Sequence, residues 1–470
     1  MPRFSHSLTL VIAGAVFLIF SRATAIQAAL HVGMAETDIT PRVDAESRVW
    51  IAGYGQGRKA TAVHDPLLAR AVVFSDGQRK VAMVCADVVG VMRPTVQRIR
   101  AKLAGFDYVM ISATHNHEGP DTIGLWGPTP IESGIDADYM TLFVDQCVAA
   151  IDAADRAKIR VDAHYGTAED ETLLGDSRLP KVKDGVLRVL RFTRAGTDQT
   201  AGILLQWNCH PEALGPRNTL ITADFPWATV AALTKKHDCP IAYFTGPVGG
   251  LMAPPDGVIK DEKGVELKEG DFKYAEAYGR RVADLTNKAI DAARPITLTP
   301  IRTSAKRVYL PLANPLYRAA RKFGVLQREA FTWTGDPFRK GDAFDDDKPG
   351  EPAVETEVAC LRLGELSVAC IPGEIYPELV YGNVQDPADA GADYPDAPVE
   401  KHLTAMLPSD KCLIIGLAND EIGYIIPKRQ WDILRPYAYG RTKAQYGEVN
   451  SVGPEVAPIL MKALDDVMKE

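Results

Sequence analysis

The chain has 470 residues, enough for one large enzyme domain or for two or three smaller ones. Hydrophobic residues make up 46% and charged residues 24%, which excludes disorder, collagen and coiled coil as descriptions of the whole. Its 53 basic and 61 acidic side chains give a net charge of −8 with no long basic block, which argues against nucleic-acid binding through phosphate neutralisation.

The N-terminus opens with Arg3, an unbroken apolar run Leu8–Phe20, and the small-residue stretches Ala23-Thr24-Ala25 and Ile26-Gln27-Ala28. This is the order of a secretory signal peptide. The apolar run is 13 residues long, whereas a membrane-spanning helix needs about 20. Residues 1–28 are therefore predicted to be a cleaved signal peptide, with an uncleaved anchor as the alternative, and residues 29–470 an exported (periplasmic or secreted) protein. Val81–Val84, Tyr108–Ser112, Gly202–Trp207, Ile241–Phe244, Leu366–Ile371 and Cys412–Leu417 are short, near-continuous apolar runs, the pattern of strands buried on both faces. Helical spacing separates them. It appears at Val96, Ile99 and Leu103, at Phe143, Val144, Cys147, Val148 and Ile151, and at Tyr278, Val282, Leu285 and Ala289. A last helix is expected after Pro454, carrying Ile459, Leu460 and Leu464. The polar stretches Asp256–Phe272 and Lys340–Thr356 predict surface loops. The expected fold is α/β, with mixed sheet or sheets covered by helices, in a single large domain with loop insertions.

Chemistry-bearing residues follow the apolar runs. Ala113-Thr114-His115-Asn116-His117-Glu118-Gly119-Pro120 follows one, and Asn208-Cys209-His210-Pro211 another. Pro372-Gly373-Glu374 and Ala418-Asn419-Asp420-Glu421-Ile422-Gly423-Tyr424 follow two more. Ligands of open α/β sheets gather at the carboxyl ends of strands. Two or three histidines with a carboxylate form a common catalytic zinc site that leaves a position for water, and no thiolate is needed. Each residue also has a plainer reading: His210 as a turn histidine, Glu374 as a helix-start carboxylate, Tyr424 as a packed aromatic. The seven cysteines are scattered without a CxxC pair, so a cysteine-based zinc site is not expected, and Cys209 is predicted to be a buried structural thiol. Thr245-Gly246-Pro247-Val248-Gly249-Gly250 lacks the Gly-Lys-Ser/Thr of a phosphate loop, Gly53-Tyr54-Gly55-Gln56-Gly57 reads only as a turn-rich segment, and no GxSxG elbow is present.

Taken in order, these motifs resemble the catalytic domain of the neutral/alkaline, non-lysosomal ceramidases. The resemblance rests on Asp38-Ile39-Thr40-Pro41, on His64-Asp65-Pro66-Leu67 with Ala69-Arg70-Ala71, and on the stretch Ala113 to Asp121. It continues through Asn208-Cys209-His210-Pro211, Ala223-Asp224-Phe225-Pro226, Pro372-Gly373-Glu374 and Ala418-Asn419-Asp420 with Gly423-Tyr424. It implies one zinc ion with His115, His210 and Glu374 as ligands and Tyr424 beside the metal. It implies that His117 contacts substrate and moves protons, and that Arg178 and Tyr446 bind substrate. The family's C-terminal immunoglobulin-like domain is not expected in this chain. Two departures stand out. Glu118 replaces a small hydroxyl residue, and Gly249–Pro254 lacks the aspartate and serine of the family's Gly-Asp-Val-Ser-Pro-Asn segment. Glu118 could take a proton, recognise a cationic or hydroxylated substrate, or orient His117 from behind, and the first two are the favoured readings.

The resemblance implies an exported zinc-dependent amidohydrolase that cleaves a ceramide-like N-acyl substrate through metal-activated water. Its partners would be a small-molecule or lipid-like substrate and a peripheral membrane contact. The alternatives are a metal hydrolase of another amide or ester, and a metal-stabilised binding protein without catalysis. Manganese or iron could replace zinc in such a donor set.

Overall fold

A computed structural model describes residues 29–470. The signal-peptide expectation for residues 1–28 lies outside the described residues. Nine strands build the first sheet: β1 (His31–Asp38), β2 (Leu68–Ser75), β3 (Lys80–Ala86), β4 (Tyr108–Ala113), β5 (Ile159–Glu169), β6 (Val186–Arg194), β7 (Thr200–Trp207), β8 (Ile241–Thr245) and β9 (Arg294–Ile296). They run in the order β8-β7-β6-β5-β1-β2-β3-β4, with β9 paired to β5. The pairs β3/β4 and β7/β8 are parallel, and the rest of the path is antiparallel. A second sheet takes β10 (Ile301–Pro311), β11 (Pro352–Leu363), β12 (Leu366–Cys370) and β13 (Cys412–Ile415) in that order, with Phe331–Thr332 paired to β11. Here β12 and β13 are parallel.

The period-2 alternation of side chains explains how the sheets stack. Val72, Phe74, Met83, Leu190, Phe192 and Leu204 point to one side of the first sheet and pack against Leu361, Leu363, Val368, Leu413 and Ile415 of the second. Their sequence neighbours point the other way. On the outer face of the first sheet, Val73, Val84 and Ile111 meet α1 (Arg93–Ala101) and α2 (Ala137–Arg156). Val189, Leu205 and Tyr243 meet α3 (Asp224–His237) and α4 (Phe272–Ala292) on that same face. Val358, Cys360, Ala369 and Ile414 on the outer face of the second sheet meet the C-terminal helix Val456–Lys469. The architecture is four layers, helix, sheet, sheet, helix, in agreement with the expected α/β class. Helix starts follow local chemistry. Asp136 caps α2 by accepting from the Asp138 and Tyr139 backbone N–H groups, and Asp271 caps α4 through Lys273.

One sequence expectation is corrected. Lys340–Thr356 is irregular only in its first part, because Pro352 opens β11. Acidic residues of β11 are paired across layers. The Arg93 Nε–H donates to Glu355 at 2.8 Å, and Arg100 donates to Glu357 at 2.9 Å. Among the described residues no helix is long and apolar enough to cross a membrane.

Leu361 is fully buried between the two sheets. Leu361→Ala should destabilise the fold by about 2–5 kcal/mol, read from the midpoint of denaturant unfolding. A loss below about 0.5 kcal/mol, the range of surface substitutions, would contradict inter-sheet packing at this position.

Candidate metal centre

Parallel strand ends from both sheets converge on one spot. After β4 the chain turns sharply at His115, whose φ of 66° is in the left-handed region. A non-glycine residue there costs on the order of 1–3 kcal/mol and persists only where its surroundings fix it. They do so here. The Asn116 N–H donates to the Val88 carbonyl at 3.0 Å, and the His117 N–H to the Pro211 carbonyl at 3.1 Å. His210 follows β7, and its own N–H donates to the Met252 carbonyl at 2.9 Å. Beyond the ends of β12 and β13, Glu374 and Ile375 pair in parallel with Tyr424 and Ile425 as a separate two-stranded sheet. Glu374 stands three residues before the helix Pro377–Tyr381, so it is not that helix's first-turn carboxylate.

The imidazoles are oriented by their outer nitrogens. His115 Nδ1 donates to the Val89 carbonyl at 2.6 Å, and His210 Nδ1 donates to the Met252 carbonyl at 2.8 Å. A carbonyl only accepts, so Nδ1 carries a proton in both rings and both Nε2 atoms face inward. One oxygen of Glu374 lies 3.0 Å from His210 Nε2 and 3.3 Å from His115 Nε2. The third ring, His117, has its centroid 5.0 Å from that of His115 and 5.7 Å from that of His210. The ligand atoms of His115, His117 and His210 all lie within 4.8 Å of one another. All four residues are buried.

Burial opposes charge on His115 and on Glu374. Their mutual attraction overrides it, holding the imidazole above its ordinary range and the carboxyl below its own. Burial, reinforced by His115, His210 and Arg58, drives His117 well below the usual imidazole value, so it is held neutral. Its Nδ1 makes no hydrogen bond, and a carboxylate oxygen of Glu212 stands 3.5 Å away. Glu212 was not singled out in the sequence, and neither were Arg58 and Glu421. Glu421 is buried beside the site, accepts from the Gly423 N–H at 2.7 Å, and is pushed up to about 8 by burial and then by Glu374. The turn-rich segment near residue 53 also belongs here. A Cβ on Gly53, whose φ is 100°, would lie 2.4 Å from His117 Cγ, so only glycine lets that ring approach. Tyr54 packs edge-on against His117 with centroids 5.1 Å apart.

The remaining candidates occupy a second circle. Glu118 is fully buried, and one of its oxygens accepts from Arg58 at 3.1 Å and from the Asn218 amide at 2.8 Å. Arg58 also donates to the His117 carbonyl. Burial pushes the Glu118 carboxyl up to about 8 against the pull of Arg58. The carboxylate is thus engaged with the loop that carries His117. Tyr424 is buried at the site, 6.0 Å between ring centroids from Tyr446, which is 52% exposed. Arg178 is buried at 2% exposure and donates to the Tyr446 carbonyl at 2.8 Å. The Gly249–Pro254 segment, which lacks the serine, supplies the Met252 carbonyl that orients His210. Cys209 is buried, its S–H directed at the His210 carbonyl, and burial pushes the thiol well up.

His115, His210 and Glu374 suit a resident divalent metal. Imidazole nitrogens and a carboxylate oxygen converge without thiolate, and each outer imidazole nitrogen is fixed by a backbone carbonyl, as metal-ligating histidines require.

No protein-family model and no curated protein matches the chain. Two solved structures share its fold. The crystal structure of neutral ceramidase from Pseudomonas aeruginosa aligns with a TM-score of 0.69 and 17% identity over 94% of this chain and 74% of that one. A ceramidase complexed with C2 aligns with a TM-score of 0.65 and 16% identity, over 94% and 75% of the two chains. The likeness establishes a ceramidase-like fold.

Alanine at His115, His210 or Glu374 should each reduce bound metal to a small fraction of the wild-type content, by elemental analysis of folded protein. Wild-type metal content in all three variants would refute the assignment. Glu118→Gln should retain metal and keep kcat within about tenfold of wild type, because the amide oxygen can still accept from Arg58. A fall of about 10²–10⁴ in kcat with metal retained would instead mark Glu118 as the proton acceptor.

Proposed function

We propose that this chain is an exported, zinc-dependent amidohydrolase that cleaves the amide bond of a ceramide-like N-acyl substrate, with residues 29–470 as one catalytic domain. The observation that carries the reading is the pair of inward Nε2 atoms facing one carboxylate where the ends of two sheets meet. The ceramidase-like fold and the order of the motifs support the substrate class. His115, His210 and Glu374 would hold the metal, with Tyr424 beside it. The hard and borderline donors suit zinc, with manganese or iron as alternatives. Such an ion supplies Lewis acidity toward a carbonyl oxygen and makes water a nucleophile near neutral pH.

The protein's own groups do the rest. The Tyr424 hydroxyl would donate to the oxygen on which negative charge develops when the carbonyl is attacked, and burial pushes its pKa well up, which favours the protonated form. His117 has an unbonded Nδ1 and would accept a proton and return it to the leaving amine. Glu118 fits a positioning part, since its contacts run through Arg58 to the His117 backbone. Tyr446 forms the exposed wall against which a lipid-like or other small amphiphilic substrate would lie, and a peripheral membrane contact would deliver such a substrate.

The test is a panel of N-acyl lipids, simple amides and esters, assayed for acid release before and after chelation and after zinc is restored. Activity on N-acyl lipids that chelation abolishes and zinc restores is the expected result. Hydrolysis confined to esters or unrelated amides would transfer the fold to a different substrate. Tight metal binding without turnover of any panel member would point to a binding protein. Tyr424→Phe should lower kcat by about 10²–10³ with metal retained, the cost of losing one oxyanion donor. An unchanged kcat would remove Tyr424 from catalysis.

A further inference from the structure

Arg178, which the resemblance assigned to substrate, is 2% exposed, and both terminal nitrogens of its guanidinium are committed within the protein. One terminal nitrogen donates to Glu448 at 2.9 Å and to the Tyr446 carbonyl at 2.8 Å. The other donates to the second Glu448 oxygen at 2.7 Å and to the Gln430 carbonyl at 3.0 Å. Both side chains of the ion pair are sealed, at 1% and 0% exposure. A second tether runs alongside. The Leu179 N–H donates to the Gln445 side-chain oxygen at 2.8 Å, and the Gln445 amide donates to the Leu179 carbonyl at 2.9 Å.

These bonds join a short loop at 176–180 to a strap at 430–448 that carries Tyr446. Glu448 also accepts from the Asp432 N–H at 2.9 Å, so the strap is closed on itself at the same carboxylate. The guanidinium stands 5.4 Å from the ring centroid of Tyr376, two residues after Glu374. Tyr376 in turn packs edge-on against Tyr424, with centroids 6.1 Å apart. A Cβ at Gly447, with φ of 138°, would lie 2.7 Å from the Tyr376 hydroxyl and 3.3 Å from Arg178, so a glycine is required where strap and clamp meet.

We propose that Arg178 is a positioning residue that acts with Glu448 as a buried clamp, fixing the 430–448 strap so that Tyr446 stands against Tyr424 at the mouth of the site, and that it does not touch substrate. A planar fork that satisfies a carboxylate in bidentate fashion and two carbonyls at once fixes direction as well as distance, which a lysine cannot do. The functional half of the proposal rests on the amidohydrolase reading, while its structural half does not.

The test compares wild type with Arg178→Lys, Glu448→Gln and Gln445→Ala in the full chain, by hydrogen exchange and by steady-state kinetics on an N-acyl lipid. Both clamp variants should lower amide protection in 430–448 by at least about tenfold, leave protection in β3 and β4 unchanged, and retain bound metal. KM should rise by about tenfold in both, with kcat changed by less than about threefold, because the wall of the pocket is loosened and the reacting groups are untouched. Should Arg178→Lys fail to fold, Glu448→Gln and Gln445→Ala report on the same strap. Unchanged protection of 430–448 in the clamp variants would overturn the proposal. So would a KM that rises in Arg178→Lys but not in Glu448→Gln, since that pattern belongs to an arginine in contact with substrate. If wild type turns over no N-acyl lipid, the amidohydrolase reading fails while the exchange data still decide the clamp.

Discussion

The geometry of the site depends on how the ends of the two sheets are held together. Face-to-face apolar packing sets the sheets apart at a fixed distance, but it does not fix their offset along the strands. Polar stitches do that. Asn419 donates its backbone N–H to the Ile111 carbonyl, and its side-chain oxygen accepts from the Ile111 N–H at 3.1 Å, so a residue after β13 pairs with a residue of β4. Its amide also donates to the Tyr108 hydroxyl at 2.9 Å. The Gly416 N–H reaches the Thr245 carbonyl at 3.1 Å, and the Ile414 N–H reaches the side chain of Gln206 at 2.8 Å. These buried bonds carry the full cost of an unmade partner if the register slips. They bring Glu374 and Tyr424, which lie beyond the ends of β12 and β13, to the histidines of the first sheet.

The backbone records the demand placed on these loops. His115, Asp224, Leu417 and Asn419 all adopt positive φ without being glycine. Two of them carry side chains whose chemistry no glycine could supply: an imidazole at His115, and at Asn419 the amide that joins the sheets. The strain is local, and short backbone bonds on either side offset it.

Much of the site was legible in the sequence. His115, His210, Glu374 and Tyr424 each follow a buried apolar run, and strand ends in an α/β fold collect ligands, so a local pattern sufficed. The division into two stacked sheets was not legible, because β4 and β7 look the same as β12 and β13 in composition, and only long-range pairing separates them. The start of β11 was hidden for a different reason. The polar run before it extended the predicted loop over its first residues, and the partners of Glu355 and Glu357, Arg93 and Arg100 of α1, are visible only in the fold. Arg58 and Glu212 left no signal, since a single charged residue in a polar loop has no periodicity to betray it, and Glu421, though in the stretch after β13, was given no role. The Gly53 segment did carry one, a run of alternating glycines, but nothing in the sequence said that a histidine ring would press against it. Arg178 was singled out by alignment to a motif, and its Glu448 partner, distant in sequence, is visible only in the fold.

The seven cysteines have a consequence for how the chain reaches this state. All are buried and unpaired, and burial pushes every one of their thiols upward in pKa. Thiolate is the species that exchanges with disulfides, so the finished protein is inert to an oxidising milieu. The unfolded chain has no such protection, because its thiols are exposed and titrate normally. Folding outside the cytosol would therefore be a race between burial and oxidation. Any scrambled disulfide would lock strands of the two sheets into wrong neighbours, so the yield of native protein should depend on the redox buffer during refolding and be insensitive to it afterwards.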